Sequence, residues 1–138
     1  MRSTWLTCSL LALLATASPA SGSAARLYEL TIQTGMPHLE ENLRYTTEHS
    51  QRCLTPGDLV SAFPMLQHPT LAGCKLREQR HDGDTIHQVL VCENTTGTTG
   101  TATWQLQENI IYGALDVKLG GKNMTFFQRI TGKALGSC

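Results

Sequence analysis

The sequence predicts a mainly β domain in which a single antiparallel meander curls into a barrel or half-barrel. Short segments with alternating apolar and polar residues recur along the chain, and this alternation is typical of half-buried strands. Gly, Asn and Asp separate the segments at short intervals, as hairpin turns require. No long helical pattern lies between them, which argues against a parallel α/β sheet.

Each strand is predicted from its own pattern. In the first strand, Tyr28, Leu30 and Ile32 alternate with polar neighbours. Asp82-Gly83 is a strong hairpin signal between the third and fourth strands. The predicted strands cover residues 27–34, 43–49, 74–81, 85–93, 101–107, 110–119 and 124–131.

One short helix is predicted at residues 56–63. Thr55 can cap its start, Pro56 suits its first position, and Asp58 favours the positive end of a helix. Pro64 would end the helix, and the segment between it and the next strand is predicted to be a loop.

Residues 1–25 predict a secretory signal peptide. Arg2 supplies the positive start, an apolar run follows, and small residues come after it. We expect cleavage between Ala20 and Arg26, which leaves residues 26–138 as a single disulfide-stapled β domain. The alternative is an uncleaved anchor, but the apolar run falls short of the ~20 residues that span a bilayer. No membrane association is therefore expected after cleavage.

The composition limits the class of partner. A mature chain of about 115 residues is one domain, and it can bury about two-thirds of its unfolded surface. Without Arg2, one of the 11 basic residues, the chain has one more acidic than basic side chain. Because no basic cluster is present, nucleic acid is not an expected partner.

Four cysteines remain after signal cleavage: Cys53, Cys74, Cys92 and Cys138. They lack the Cys-x-x-Cys spacing of zinc or thioredoxin-like sites. They predict a structural disulfide framework and a periplasmic or secreted location. A disulfide at Cys138 would also hold a terminus that otherwise frays. Of the three pairings that four cysteines allow, we prefer Cys53 with Cys74, which closes the helical segment, and Cys92 with Cys138, which ties the tail to a central strand.

Several short motifs follow one another along the mature chain. They are the opening LYELTIQTGMP, Arg-Cys-Leu-Thr-Pro at 52–56, Cys-Lys-Leu at 74–76, Val-Leu-Val-Cys ending at 92, Thr-Ala-Thr-Trp at 101–104 and a Gly-x-x-x-Gly-x-Cys tail at 132–138. In these motifs and in its cysteine spacing, the chain resembles a family of small bacterial periplasmic proteins with a domain of unknown function. The resemblance implies a periplasmic β-rich fold and no agreed activity. Such relatives have methionine-rich segments where this chain keeps only Met36 and Met124.

Methionine and histidine side chains provide an alternative function. Met36, His38, His81 and His87 could form a copper-type site, because thioether and imidazole groups suit that metal. The other interpretation is that these are ordinary exposed side chains of turns and strands.

The hairpin register decides whether His81 and His87 can meet. Counted outward from an Asp82-Gly83 turn, His81 lies opposite Asp84 and His87 lies opposite Glu78. This offset corresponds to about 10 Å along the strands at ~3.3 Å per residue. Ligand nitrogens around one ion lie within about 4 Å of each other. We therefore expect no metal site at these two residues.

No pattern predicts catalysis. Ser50 and Ser61 lack the Gly-x-Ser-x-Gly elbow. Glu40 and Glu41 are adjacent carboxylates in a predicted loop, and Asp116 is expected to face solvent. We therefore expect no enzyme, no catalytic residues and no cofactor.

The favoured function is an exported, non-enzymatic domain that binds a small or apolar ligand, or a protein partner, through its curved sheet. The alternative is periplasmic metal handling. An elongated internal cavity would favour the first function, and converging Met and His side chains would favour the second. Aromatic residues could line such a cavity, although on strands they more often fill the core; they are Tyr28, Tyr45, Trp104, Tyr112, Phe126 and Phe127.

Overall fold

One seven-stranded antiparallel sheet dominates the computed structural model, which describes residues 24–37, 39, 45–93, 97–120 and 124–138. The strand order is β2-β1-β7-β6-β5-β4-β3. The strands are β1 (Arg26–Gly35), β2 (Tyr45–Leu54), β3 (Cys74–Asp82), β4 (Thr85–Cys92), β5 (Thr99–Leu106), β6 (Ile110–Leu119) and β7 (Met124–Ser137). The prediction of a mainly β antiparallel meander is confirmed. The sheet is open, with β2 and β3 at its edges, so the fold is not a closed barrel.

The strands β3 to β7 form a meander, and β1 and β2 extend the sheet beyond β7. From β3 to β7, each strand pairs with the next one along the chain. β7 then pairs with β1, and β1 pairs with β2 over ten consecutive residues. The last strand therefore lies beside the first, and this contact brings distant parts of the sequence together.

Two strands extend further than their sequence patterns predict. β2 runs to Leu54, although every earlier residue in it is exposed and gives no alternation. Its pairing with β1, not burial, holds it in the sheet. β7 runs to Ser137 through Gly132 and Gly136, which resemble turn residues in the sequence.

Close packing and chain direction explain these two glycines. A Cβ at Gly132 would lie 2.6 Å from Ile111 Cγ1 and 2.9 Å from Leu30 Cδ2, so only a hydrogen fits there. Gly136 has φ +144°, where L side chains are strained. It follows an irregularity in the β1–β7 ladder that leaves Leu135 without a partner on β1. Together these features form a bulge, after which β7 resumes its pairing with β1 at Gly136 and Ser137.

The predicted helix is a 3₁₀ helix over Pro56–Ser61, and two more 3₁₀ helices follow it at Pro64–Gln67 and Pro69–Leu71, where a loop was predicted. A proline begins each of them. Because proline fixes φ but donates no hydrogen bond, a new proline every few residues starts single turns and prevents a longer helix.

The core lies between the inner face of the sheet and the segment 55–73. Leu59, Ala62, Phe63 and Leu71 of this segment are buried. The Phe63 ring packs on the Trp104 ring with 5.0 Å between centroids. The first 3₁₀ helix contacts both edge strands, β2 and β3. The segment 55–73 thus lies at the gap between the two edge strands, a gap that a closed barrel would not have.

The disulfides join Cys53 to Cys138 and Cys74 to Cys92. All four cysteines are bonded, but the preferred pairing is wrong. Cys74 and Cys92 are direct partners on β3 and β4. Cys138 cannot reach Cys92, because two strands separate β4 from β7, a lateral distance of about 14 Å. In addition, the strand register places Cys92 beside the start of β7, whereas Cys138 follows its end.

The Cys53–Cys138 disulfide spans β1. Strands that flank a third strand are about 9.6 Å apart, yet the two Cα atoms here are 5.9 Å apart. A bulge bends its strand, and the bulge at Leu135 lies three residues before Cys138. The disulfide therefore encloses the start of β1 between β2 and β7.

Residues 1–23, which hold most of the predicted signal peptide, lie outside the described residues. Among the described residues, no helix is long and apolar enough to cross a membrane.

We expect peptide mapping without reduction to recover Cys53 linked to Cys138 and Cys74 linked to Cys92. Replacing Cys53 and Cys138 together by Ala should cost more stability than replacing Cys74 and Cys92. The chain-entropy relation gives about 4.5 kcal/mol for the 85-residue separation and about 3 kcal/mol for the 18-residue separation. Denaturant unfolding measures both values. Recovery of a Cys53–Cys74 peptide would refute this pairing.

Candidate functional site

An apolar cavity of about 220 Å³ lies where β1 begins and β2 ends. Its wall is made by Tyr28, Leu54, Leu59 and Ile111, which are all buried. These four side chains come from β1, β2, the first 3₁₀ helix and β6. The cavity therefore forms only when these four elements pack together. Because its lining is mostly apolar, it suits an apolar group.

Arg26 stands at the rim of this cavity. Its guanidinium donates to the carbonyl oxygen of Glu108 and, at 3.4 Å, to Asn109 Oδ1. Its Cζ lies 5.8 Å from the centre of the Tyr28 ring. Within the described part of the chain, no carboxylate forms an ion pair with Arg26. A positive charge without a counter-ion therefore borders an apolar space.

A hydrogen-bonded turn fixes the wall formed by Thr55 and Leu59. The backbone N–H and the hydroxyl of Thr55 both donate to Asp58 Oδ2, at 2.6 and 2.9 Å. These bonds, the backbone one first, lower the pKa of Asp58 below its ordinary value of 3.8, and the charge of Arg52 acts in the same direction. Arg52 also donates to the carbonyl oxygen of Ala62 at 3.2 Å.

The lowered pKa of Asp58 predicts a pH-dependent contribution to stability. A carboxylate with a depressed pKa stabilises the fold above its unfolded pKa, and this contribution is lost as pH falls through the folded value. Asp58→Asn should therefore lower the melting temperature near neutral pH, and the difference from the parent should vanish in acid. Thermal unfolding across this pH range measures it. Asp84→Asn, in the exposed β3–β4 turn, is the control and should stay near the parent. A difference that persists in acid would contradict this origin.

Two glutamine side chains are buried on the inner face, and only one has all its partners. Gln128 Oε1 accepts from the Met65 N–H at 3.1 Å, and its Nε2 donates to Thr34 Oγ1 at 2.8 Å. Gln88 Oε1 and Trp104 Nε1 are buried with no hydrogen-bond partner among the described residues. Gln128 therefore ties the 55–73 segment to the sheet, whereas Gln88 leaves an acceptor unsatisfied.

These two environments predict opposite effects of the same substitution. Gln88→Met should raise the free energy of unfolding by about 1 kcal/mol, because it removes an unsatisfied acceptor. Gln128→Met should lower it by about 1–3 kcal/mol, because the Met65 N–H and the Thr34 hydroxyl lose their partner. Denaturant unfolding compares the two variants. Equal losses in both would mean that Gln88 Oε1 is bonded.

The predicted register of the histidine hairpin is wrong. Asp82 pairs with Thr85, so Gly83 and Asp84 form the turn. Gly83 is the first residue of this two-residue turn, and its φ of +56° is the positive value that the favoured two-residue hairpin turns require at that position. A bulge at Gln79 then shifts the rest of β3 by one residue.

With this register, His81 lies opposite Ile86 and His87 lies opposite Arg80. Neighbouring pairs point to opposite faces of a sheet, so the two imidazoles do not share a face. His81 Nδ1 is 3.8 Å from Glu78 Oε1, and His87 Nε2 is 3.8 Å from Asp82 Oδ2.

The other residues of the metal alternative are not brought to this hairpin. Met36 follows β1 and packs against the core, and three strands separate β1 from β4. His38 lies outside the described residues. Within those residues, no three His, Cys, Asp or Glu side chains group closely enough to hold an ion.

The aromatic residues divide between the two faces. Trp104, Phe126 and Tyr28 are buried, whereas Tyr45 and Tyr112 are exposed. Tyr28 lines the cavity at the start of β1, whereas Phe126 and the half-buried Phe127 line a separate cleft of about 510 Å³. The core is filled by large side chains, so the cavity lies at one end of the sheet and is not the elongated internal cavity considered from the sequence.

The carboxylates and serines considered for catalysis are dispersed. Asp116 is exposed, as predicted, and pairs with Arg129 at 2.8 Å on the outer face. Ser50 is exposed on β2, and Ser61 donates to the carbonyl oxygen of Asp58 at 3.2 Å. Glu40 and Glu41 lie outside the described residues.

Arg26 is the functional candidate that sequence reasoning missed. In the sequence it is a single basic residue before an alternating strand. Its partner Glu108 is 82 residues away, and the two meet because β6 and β1 both pair with β7. No local pattern carries this information.

Comparison with known proteins supplies a family but no activity. Residues 24–138 match the family described as "Protein of unknown function (DUF3617)". No curated protein and no solved structure matches the chain.

Proposed function

The chain belongs to this family of unknown function, and we propose that it is an exported, non-enzymatic domain that binds a small amphipathic acid. The apolar part of the ligand occupies the cavity at the start of β1, and its acidic group meets Arg26. We infer that the domain acts in the periplasm after loss of the signal peptide, because two disulfides are typical of exported proteins.

The observation that carries this proposal is an arginine that lines an apolar cavity and has no carboxylate partner among the described residues. Arg26 uses two of its donors on Glu108 and Asn109, and a guanidinium has five. The remaining donors can bond a carboxylate, and charge-assisted bonds of this kind are stronger than neutral ones. The apolar wall supplies the rest of the affinity by burying hydrocarbon.

The size of the cavity limits the size of the ligand. Its volume of about 220 Å³ lies below the roughly 300–1,000 Å³ of pockets that hold a drug-sized ligand. A hydrocarbon tail of medium length fits this space, whereas a long acyl chain or a drug-sized molecule would exceed it. The ligand class is therefore a medium-chain acid.

The residues that line the cavity give no reason to propose a reaction there. The polar groups near the cavity are the Tyr28 and Thr55 hydroxyls, the Gln107 amide and Arg26. Thr55 is engaged by Asp58. This set can orient a ligand, but it pairs no nucleophile with a base.

The test uses octanoate and 1-octanol, which share a tail length and differ in charge. We expect octanoate to bind about tenfold more tightly than octanol, since hydrogen bonds to charged groups contribute roughly 1.5–3 kcal/mol. Amide chemical-shift titration measures both affinities and locates the site at the residues lining the cavity.

Arg26→Gln should remove the preference for octanoate and leave octanol binding unchanged. Arg77→Gln, which removes an exposed charge from β3, is the matched control and should keep the preference. Shifts confined to another surface, or equal affinity of the parent for both probes, would contradict the proposal.

A further inference from the structure

The strand β2 forms one edge of the sheet. Its residues from Tyr45 to Cys53 are all exposed, and among the described strands β1 is its only partner. Its ladder with β1 runs from Tyr45 to Leu54 without a bulge. An edge strand presents alternate backbone N–H and C=O groups outward, ready to pair with another strand. We propose that β2 pairs antiparallel with β2 of a second copy of this chain.

The opposite edge shows what protection looks like in the same sheet. β3 has a bulge at Gln79 and carries Lys75, Arg77 and Arg80. Bulges, basic side chains and prolines are the usual devices that prevent edge-to-edge pairing. β2 carries one arginine, Arg52, and it has no lysine, no proline and no bulge in its ladder with β1. The two edges therefore differ as expected if β3 is protected from pairing and β2 pairs with another strand.

The charges on β2 complement themselves about Ser50. In an antiparallel pair of two β2 strands centred on Ser50, Glu48 of each copy lies opposite Arg52 of the other. Glu48, Ser50 and Arg52 alternate along the strand, so their side chains share one face. Opposite-charge pairs across neighbouring strands are stabilising, and the symmetry produces two of them.

Within the described residues, neither Glu48 nor Arg52 forms an ion pair, although the charge of Arg52 also acts on Asp58. Arg52 spends one nitrogen on the carbonyl oxygen of Ala62, and the other donors of its guanidinium remain.

The disulfide near the end of β2 does not block this edge. The Cys53–Cys138 disulfide joins β2 to β7 across β1, on the side away from the edge. Pairing over residues 46–54 would join two seven-stranded sheets into one continuous sheet. It would add backbone hydrogen bonds along about 30 Å of strand. The cavity at Leu54 would then lie near one end of the ladder in each copy.

Charge reversal tests this register. Glu48→Arg places Arg opposite Arg in both symmetric pairs, and Arg52→Glu places Glu opposite Glu. We expect the parent to dimerise in sedimentation equilibrium, and each single variant to raise the dimer dissociation constant about tenfold or more, since like charges directly opposite are destabilising. Circular dichroism and melting temperature confirm that each variant is folded.

An equimolar mixture of the two variants provides the decisive result. Glu48→Arg and Arg52→Glu restore both complementary pairs in a heterodimer, so mixing should recover dimers that neither variant forms alone. Lys118→Glu, an exposed residue of β6, is the control and should dimerise like the parent. A parent that stays monomeric at high concentration, or a mixture of folded variants that forms no heterodimer, would overturn the proposal.

Discussion

The position of β1 between β2 and β7 is the constraint on which the rest of the structure depends. β1 supplies the buried residues Tyr28, Leu30 and Ile32 to the inner face, and it pairs along its whole length with both neighbours. The Cys53–Cys138 disulfide links those neighbours across its start. Without this insertion, β3 to β7 would remain a five-stranded meander with an uncovered β7 edge, β2 would have no partner, and the cavity would lose two of its walls.

The same constraint connects the fold to the proposed function. The cavity lies where β1 starts, beside the disulfide, and Arg26 reaches from there to the carbonyl oxygen of Glu108 after β5. The disulfide therefore holds in place the strands that carry Arg26 and Leu54. On the other side of β1, the ten-residue ladder holds β2 as a continuous and exposed edge. β1 thus positions both the cavity that is proposed to bind a ligand and the β2 edge that is proposed to pair with a second copy.

Features specified by neighbouring residues could be predicted from the sequence, and features specified by distant residues could not. The alternation of Tyr28, Leu30 and Ile32 predicts β1, and Thr55, Pro56 and Asp58 predict a capped turn that the structure contains as a 3₁₀ helix. β2 shows no alternation because it is exposed on both faces. The sequence pattern therefore predicts a strand only over residues 43–49, whereas β2 runs to Leu54. The cysteine pairing and the role of Arg26 depend on β7 lying next to β1, a contact across nearly the whole chain that no local pattern encodes. The predicted histidine register is wrong for a local reason: the turn is Gly83-Asp84, one residue later than predicted, so His87 lies opposite Arg80.

Amide hydrogen exchange of the oxidised protein and of the Cys53→Ala, Cys138→Ala variant tests the central role of the β1 insertion most directly. If the disulfide holds β1 between its neighbours, its loss should speed exchange at the start of β1, the end of β2 and the end of β7. The strands β4, β5 and β6 should keep their protection, because their pairing does not pass through β1. Faster exchange spread evenly over the sheet, or unchanged exchange at residues 26–30, would contradict the account.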